Sequence, residues 1–200
     1  MDKLAAAFQL FDSYNQKDPH SFTWDGEVYP QEYFLALKLY DWVLKLDPNA
    51  SESLLLASRC QHIGRWEIPR DSYPDGREAY LKWRRDLAAF HAETAAKILA
   101  EVGYNEEEIV RVRQIVLKQK IKVDAEVQTM ENALCLVFLE FQYEDFYPKH
   151  PADKVVNILR KSLLKMDSHG HAFALKLNYY EIALQYIKEA LELISNAKEK

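Results

Sequence analysis

Apolar residues recur along this chain at the three- and four-residue spacing of helices, and strict alternation of apolar and polar positions is nearly absent. Asp2 is placed to cap a first helix over about 3–16, with Leu4, Phe8, Leu10 and Phe11 as its apolar stripe. Residues 17–29 hold Pro19, Gly26 and several acids and read as an ordered loop. Pro30 suits the first position of a second helix that runs to about Leu46, where Asp47-Pro48-Asn49 breaks the chain. A third helix is expected from about Ala50 to Ile63, capped by Asn49 or Ser51. Its consecutive Leu54, Leu55 and Leu56 make it apolar nearly all round, so it should be central. Gly64 fits the left-handed position that ends it. Residues 66–76 read as a long loop.

A fourth helix is expected over Arg77–Val102, ended by Gly103, and a fifth after the cap Asn105, with Glu106, Glu107 and Glu108 at its positive end. A basic linker from Lys118 to Lys122 leads to a sixth helix over about 124–146, whose stretch Ala133–Phe141 is the most apolar of the chain. A seventh helix follows over about 151–166 and a last one over about 179–197, with Ser168-His169-Gly170-His171 as a turn between them. The pattern predicts an all-α bundle of about eight helices in one domain, residues 1–200.

Composition adds boundaries to this picture. The formal net charge of -5 argues against a protein that neutralises an extended nucleic acid, yet a small phosphorylated ligand needs only a few local cations. The two cysteines, Cys60 and Cys135, lie in apolar helical patterns without CxxC spacing, as expected of free thiols in a reducing compartment. The N-terminal segment lacks a basic n-region followed by an apolar core, and no apolar run reaches the ~18 residues of a membrane span. A cytoplasmic protein with no membrane partner is the expectation.

The candidate chemistry starts at the end of the third helix. An apolar helix that merely crosses a core should stay apolar, but this one turns to Arg59, Gln61, His62, Arg65 and Glu67. Buried polar groups left unpaired cost about 1–3 kcal/mol each. These side chains therefore either form a structural network or line a pocket. On the fourth helix, Leu87, His91, Thr94, Ala95 and Ile98 share one face, which points His91 toward the core. An imidazole there is either a hydrogen-bonded core residue or, with His62, a metal ligand or general base. Trp83, Arg84 and Arg85 suit either an anion clamp or a solvated face. On the sixth helix Glu131 and Glu140 stand in apolar surroundings, as oxygen ligands or as buried ion pairs, Glu140 with Arg59 or Arg84. His169 and His171 form a possible metal clip in a turn, and Lys118, Lys120 and Lys122 either meet a phosphate or form an exposed linker.

Leu54 through Arg65 resembles the core helix of the HD-domain metal-dependent phosphohydrolases, in which an apolar helix ends in His-Asp followed by Ile-Gly and a basic residue. Phe90-His91-Ala92-Glu93-Thr94 resembles the next histidine helix of that superfamily, and Met130-Glu131-Asn132-Ala133 stands where its Ala-Asp helix would fall. The likeness covers about residues 30–145 as an HD-like core, with 1–29 and 146–200 as flanking helices. It departs at Gln61-His62, which replaces the His-Asp doublet, and in the absence of histidine from residues 33–41. More closely, Arg59-Cys60-Gln61-His62, Trp66–Arg70, Tyr80–Arg84, Phe90–Glu93 and Leu136–Glu140 resemble a family known as a domain of unknown function, some members of which carry a glutamyl-tRNA synthetase label. The chain has no nucleotide-binding α/β pattern to match that label.

The HD resemblance implies a phosphohydrolase of nucleotides or other phosphorylated small molecules. In that reading His62, His91 and Glu131 hold one divalent ion (Mn, Fe, Zn or Mg), and Arg59, Arg65, Glu67 and Arg84 complete the catalytic site. The degenerate doublet equally fits a non-catalytic module that binds an anionic ligand or a protein partner.

Overall fold

The computed structural model describes residues 2–198. It is mostly helical, with one small two-stranded sheet, and its contacts divide it into two compact units, Met1–Gln119 and Lys120–Lys200. The division falls inside the 30–145 segment expected as one core. No helix among the described residues is long and apolar enough to cross a membrane.

The first unit contains α1 (Lys3–Asn15), β1 (Ser21–Trp24), β2 (Glu27–Pro30), α2 (Gln31–Leu46), α3 (Glu52–Cys60), α4 (Arg77–Val102) and α5 (Glu106–Val116). The segment 17–29 is thus not simply a loop. Its residues 21–30 form an antiparallel hairpin in the register Ser21↔Pro30 to Trp24↔Glu27, closed by Asp25 and Gly26 at φ 50° and 81°. Two left-handed residues in a two-residue connection make the primed turn that matches strand twist, and Asp-Gly is its usual sequence. The hairpin is held by its aromatics: the rings of Phe22 and Tyr29 lie 4.8 and 5.2 Å from that of Phe34 on α2.

This hairpin also caps α2. Pro30 is the N-cap and has no side-chain group to offer. Asp18, brought back by the hairpin, accepts from the Glu32 amide at 2.9 Å, while Gln31 N–H donates to the His20 carbonyl at 2.9 Å. Helix α3 is buried on nearly every face, through Leu54, Leu56, Ala57, Ser58, Arg59 and Cys60, as its leucine run implies. It packs against α1, α2, α4 and α5. It is shorter than expected and passes through turns at residues 61–64 into a 3-10 turn, Arg65–Glu67.

The second unit contains α6 (Ala125–Phe141), α7 (Tyr143–Phe146), α8 (Ala152–Leu163), α9 (Ser168–Ala174) and α10 (Glu181–Lys198). Residues 168–171, expected as a turn, instead open helix α9, because Asp167 accepts from the Gly170 amide at 2.9 Å and caps it. Asn132 on α6 donates to the same Asp167 carboxylate at 2.9 Å, which ties α9 to α6.

Candidate anion-binding site

The site grows from the point where α3 ends. Gly64 adopts φ 66°, and a Cβ there would meet ring carbons of Phe90 and Tyr14 at 2.9 Å, so only glycine lets the chain turn between those rings. Its amide donates to Asn15 Oδ1 at 3.3 Å. The turn sends the Ile63 carbonyl toward α4, where His91 Nδ1 lies 2.7 Å away. A carbonyl can only accept, so Nδ1 carries the proton and Nε2 holds the lone pair. His91 is 2% exposed, and its Nε2 has no hydrogen-bond partner.

His62 is partly buried, with its ring centroid 5.7 Å from that of His91. Burial first, and then the charges of Arg65, His91, Lys118 and Arg84, push its pKa well below the ordinary value. Burial, and secondarily Arg65, lowers His91 to about 4, although its bond to the Ile63 carbonyl works the other way. Both rings are therefore neutral near pH 7. The positive charges of Arg65, Lys118 and Arg84 acting on the neutral His62 ring favour incoming negative charge there.

The same segment also lines a cavity. Arg65 Nε lies 3.7 Å from Glu32 Oε1, and its guanidinium carbon sits 5.8 Å from the centre of the Trp83 ring. Glu32, Arg65, Trp66 and Trp83 line a cavity of about 300 Å³ together with Asp18 and His20. Glu32 is 4% exposed; burial pushes its pKa up to about 7 against the opposing pull of Arg65.

The family model described as Domain of unknown function (DUF4202) matches residues 5–187. The chain belongs to the DUF4202 family. No curated protein and no solved structure matches it.

In this DUF4202 protein the candidate residues take different places. His62 and His91 lie ring beside ring, and the charges of Arg65 and Arg84 act on His62. Arg59 is 8% exposed and ion-paired with Asp12, its guanidinium 5.0 Å from the Phe8 ring centre and 5.5 Å from that of Tyr40. Glu67 accepts from the Tyr14 hydroxyl at 2.6 Å and helps push that phenol up to about 12. Glu131 belongs to the second unit, where its carboxylate lies 3.5 Å from Lys165 Nζ. Arg84 is exposed and reaches the Tyr80 hydroxyl at 3.2 Å. Trp83 is buried and donates its Nε1–H to the Ile68 carbonyl at 2.9 Å, an anchor for the 66–76 loop. His171 Nε2–H donates to the Leu163 carbonyl at 2.7 Å.

Of the expected metal set, the His62 and His91 rings lie 5.7 Å apart, centroid to centroid. Among the described residues no group of three or more His, Cys, Asp or Glu stands close enough together to hold a metal ion. The described residues thus fit a divalent ion only in part.

Two groups of this site escaped the sequence reading. Asp18 carried no signal within its loop. Glu32 did: it falls on the stripe Glu32, Leu35, Leu39, Trp42, Val43 and Leu46 that α2 buries, and an acid on a buried stripe is a candidate for chemistry.

Proposed function

We propose that the first unit of this DUF4202 protein binds a phosphorylated small molecule at His62, Arg65 and Arg84. The observation that carries this reading is the electrostatics of His62: a partly buried, neutral imidazole on which Arg65, Lys118 and Arg84 all act with the same sign. Arginine presents paired N–H donors to a phosphate, and a neutral imidazole adds a further donor without demanding a counter-ion. The size of the binding element also suits a small ligand, since the chain as a whole carries net charge -5.

A second reading is hydrolysis of that ligand on a scaffold related to the HD-domain phosphohydrolases, with a nucleotide as one candidate substrate. It is favoured by His91, whose Ile63 contact fixes the tautomer and leaves Nε2 as an unpartnered buried base. In this reading Nε2 accepts the proton of the attacking water. A divalent ion (Mn, Fe, Zn or Mg) held by His62 and His91 is the alternative within this reading, in which His91 Nε2 would ligate the ion and not accept the proton. Buried free Cys60 and Cys135 are the support for placing the work in the reducing cytoplasm.

The test is a thermal-shift and calorimetric screen with sulfate, inorganic phosphate, nucleotides and phosphosugars, with and without divalent ions. The binding reading expects at least one anion to stabilise the protein, and Arg65→Ala with Arg84→Ala to abolish that gain. No stabilisation by any anion would sink it. Turnover that vanishes in His91→Gln, with ligand binding retained, would move the protein to the second reading.

A further inference from the structure

Arg65 stands between two groups that compete for its charge. On one side its Nε is 3.7 Å from Glu32 Oε1, longer than an N–H···O hydrogen bond. On the other its backbone N–H donates to the His62 carbonyl at 3.1 Å, so the two side chains leave the same turn, and its charge acts on His62. The Arg65 side chain is 40% exposed and rides on a 3-10 turn, while that of Glu32 is 4% exposed and its Oε2 has no hydrogen-bond partner. Asp18 faces Glu32 from the loop before the hairpin, and His20 from the same loop acts in the opposite sense. Arg70 shares the cavity, but its guanidinium is committed to the carbonyls of Tyr73 and Pro74, each at 2.9 Å.

We propose that Arg65 couples anion binding beside His62 to the uptake of a proton by Glu32. The inference rests on the anion-binding reading and adds its regulation. An anion at His62 draws the Arg65 guanidinium away from a contact too long to hold it. Glu32 then keeps Asp18 beside it, loses its nearest cation, and is still cut off from water. Its charged form is no longer supported, so the carboxylate takes a proton from solvent and becomes a neutral acid. Charge balances: one proton enters the Glu32 pocket as one arginine turns to the ligand. Without an anion, Glu32 lies near the middle of its titration at pH 7, with a pKa of about 7, so a small loss of support moves it substantially. Binding therefore strengthens as pH falls, by up to about tenfold per pH unit where uptake is complete.

Sulfate is the probe, because it stays a dianion over the range used. Isothermal titration of wild type and Glu32→Gln between about pH 6 and pH 8.5, in buffers of different ionisation heat, counts the protons taken up. Wild type should take up a substantial fraction of a proton at the alkaline end and lose affinity there. Glu32→Gln should take up less, bind severalfold more tightly than wild type at the alkaline end, and match it at the acid end. Equal proton counts and equal pH dependence in the two proteins, with both binding sulfate, would overturn the coupling and leave the binding reading standing. No binding of sulfate or phosphate by either protein would overturn both. A carbon-detected NMR titration of the Glu32 carboxyl in wild type needs no variant to fold. Its midpoint should rise on saturation with sulfate, and an unmoved midpoint overturns the coupling.

Discussion

The Ile63 carbonyl lies 2.7 Å from His91 Nδ1, so the backbone that leaves α3 chooses the tautomer of a histidine on α4. The consequence is a buried Nε2 lone pair next to His62. A core histidine kept only for packing would more usually find partners for both nitrogens.

That arrangement makes the fold sensitive to acid. Folding lowers the pKa of His91 from 6.5 to about 4, so below pH 6.5 the unfolded chain binds the proton that the folded chain refuses. The contribution of His91 is complete above pH 6.5 and is lost as pH falls toward about 4, worth up to about 3 kcal/mol. Urea unfolding of wild type and His91→Gln across this range should show the variant with the flatter pH dependence. Parallel curves would remove His91 as the cause.

Glu32 has the opposite sign. Its folded pKa of about 7 lies above the ordinary 4.5, so the folded state binds the extra proton. The stability this brings is present below pH 4.5 and fades as pH rises through about 7. Glu32→Gln should therefore be more stable than wild type at pH 8, by up to about 3 kcal/mol, and the gain should vanish near pH 4.5. Thermal melts at the two pH values check this, and a Gln variant weaker than wild type at pH 8 would contradict it.

Two glycines separate backbone strain from steric clash. Gly64 and Gly103 have φ of 66° and 96°, but only at Gly64 would a Cβ meet neighbours, the 2.9 Å contacts to Phe90 and Tyr14. Gly103→Ala should cost about 1 kcal/mol, the price of a left-handed alanine. Gly64→Ala should cost at least about 2 kcal/mol, since rings on α1 and α4 must also shift. Equal losses in denaturant melts would mean the rings yield freely.

Arg59 should behave as a structural residue. Its pairing with Asp12 and its place between Phe8 and Tyr40 predict that Arg59→Leu destabilises by about 3 kcal/mol while sulfate affinity of the folded variant is unchanged. Loss of sulfate binding in a well-folded Arg59→Leu would return this residue to the ligand site.

The hairpin shows how a readable signal was outweighed. Ser21-Phe22-Thr23-Trp24 alternates, and Asp25-Gly26 is a strong two-residue turn, but the run is short and lies beside Pro19 in a chain otherwise patterned for helices. Local pattern likewise placed His91 on an inward face and Gly64 at a left-handed turn, because periodicity and steric freedom are properties of neighbouring residues. It could not choose partners. Arg59 meets Asp12 across 47 residues, and Arg65 meets Glu32 across the lengths of α2 and α3.

The sequence by itself determined most of the helical segments, though not α9, the faces that the long helices bury, and that the end of α3 carries more polarity than a core tolerates. Only the tertiary structure decided that Arg59 is held by Asp12, that Arg65 stands between Glu32 and His62, and that Glu131 belongs to the unit beginning at Lys120. The physical reason is range. Helical spacing is fixed over a few residues by backbone geometry, whereas charge pairing depends on which distant side chain packing brings within a few ångströms.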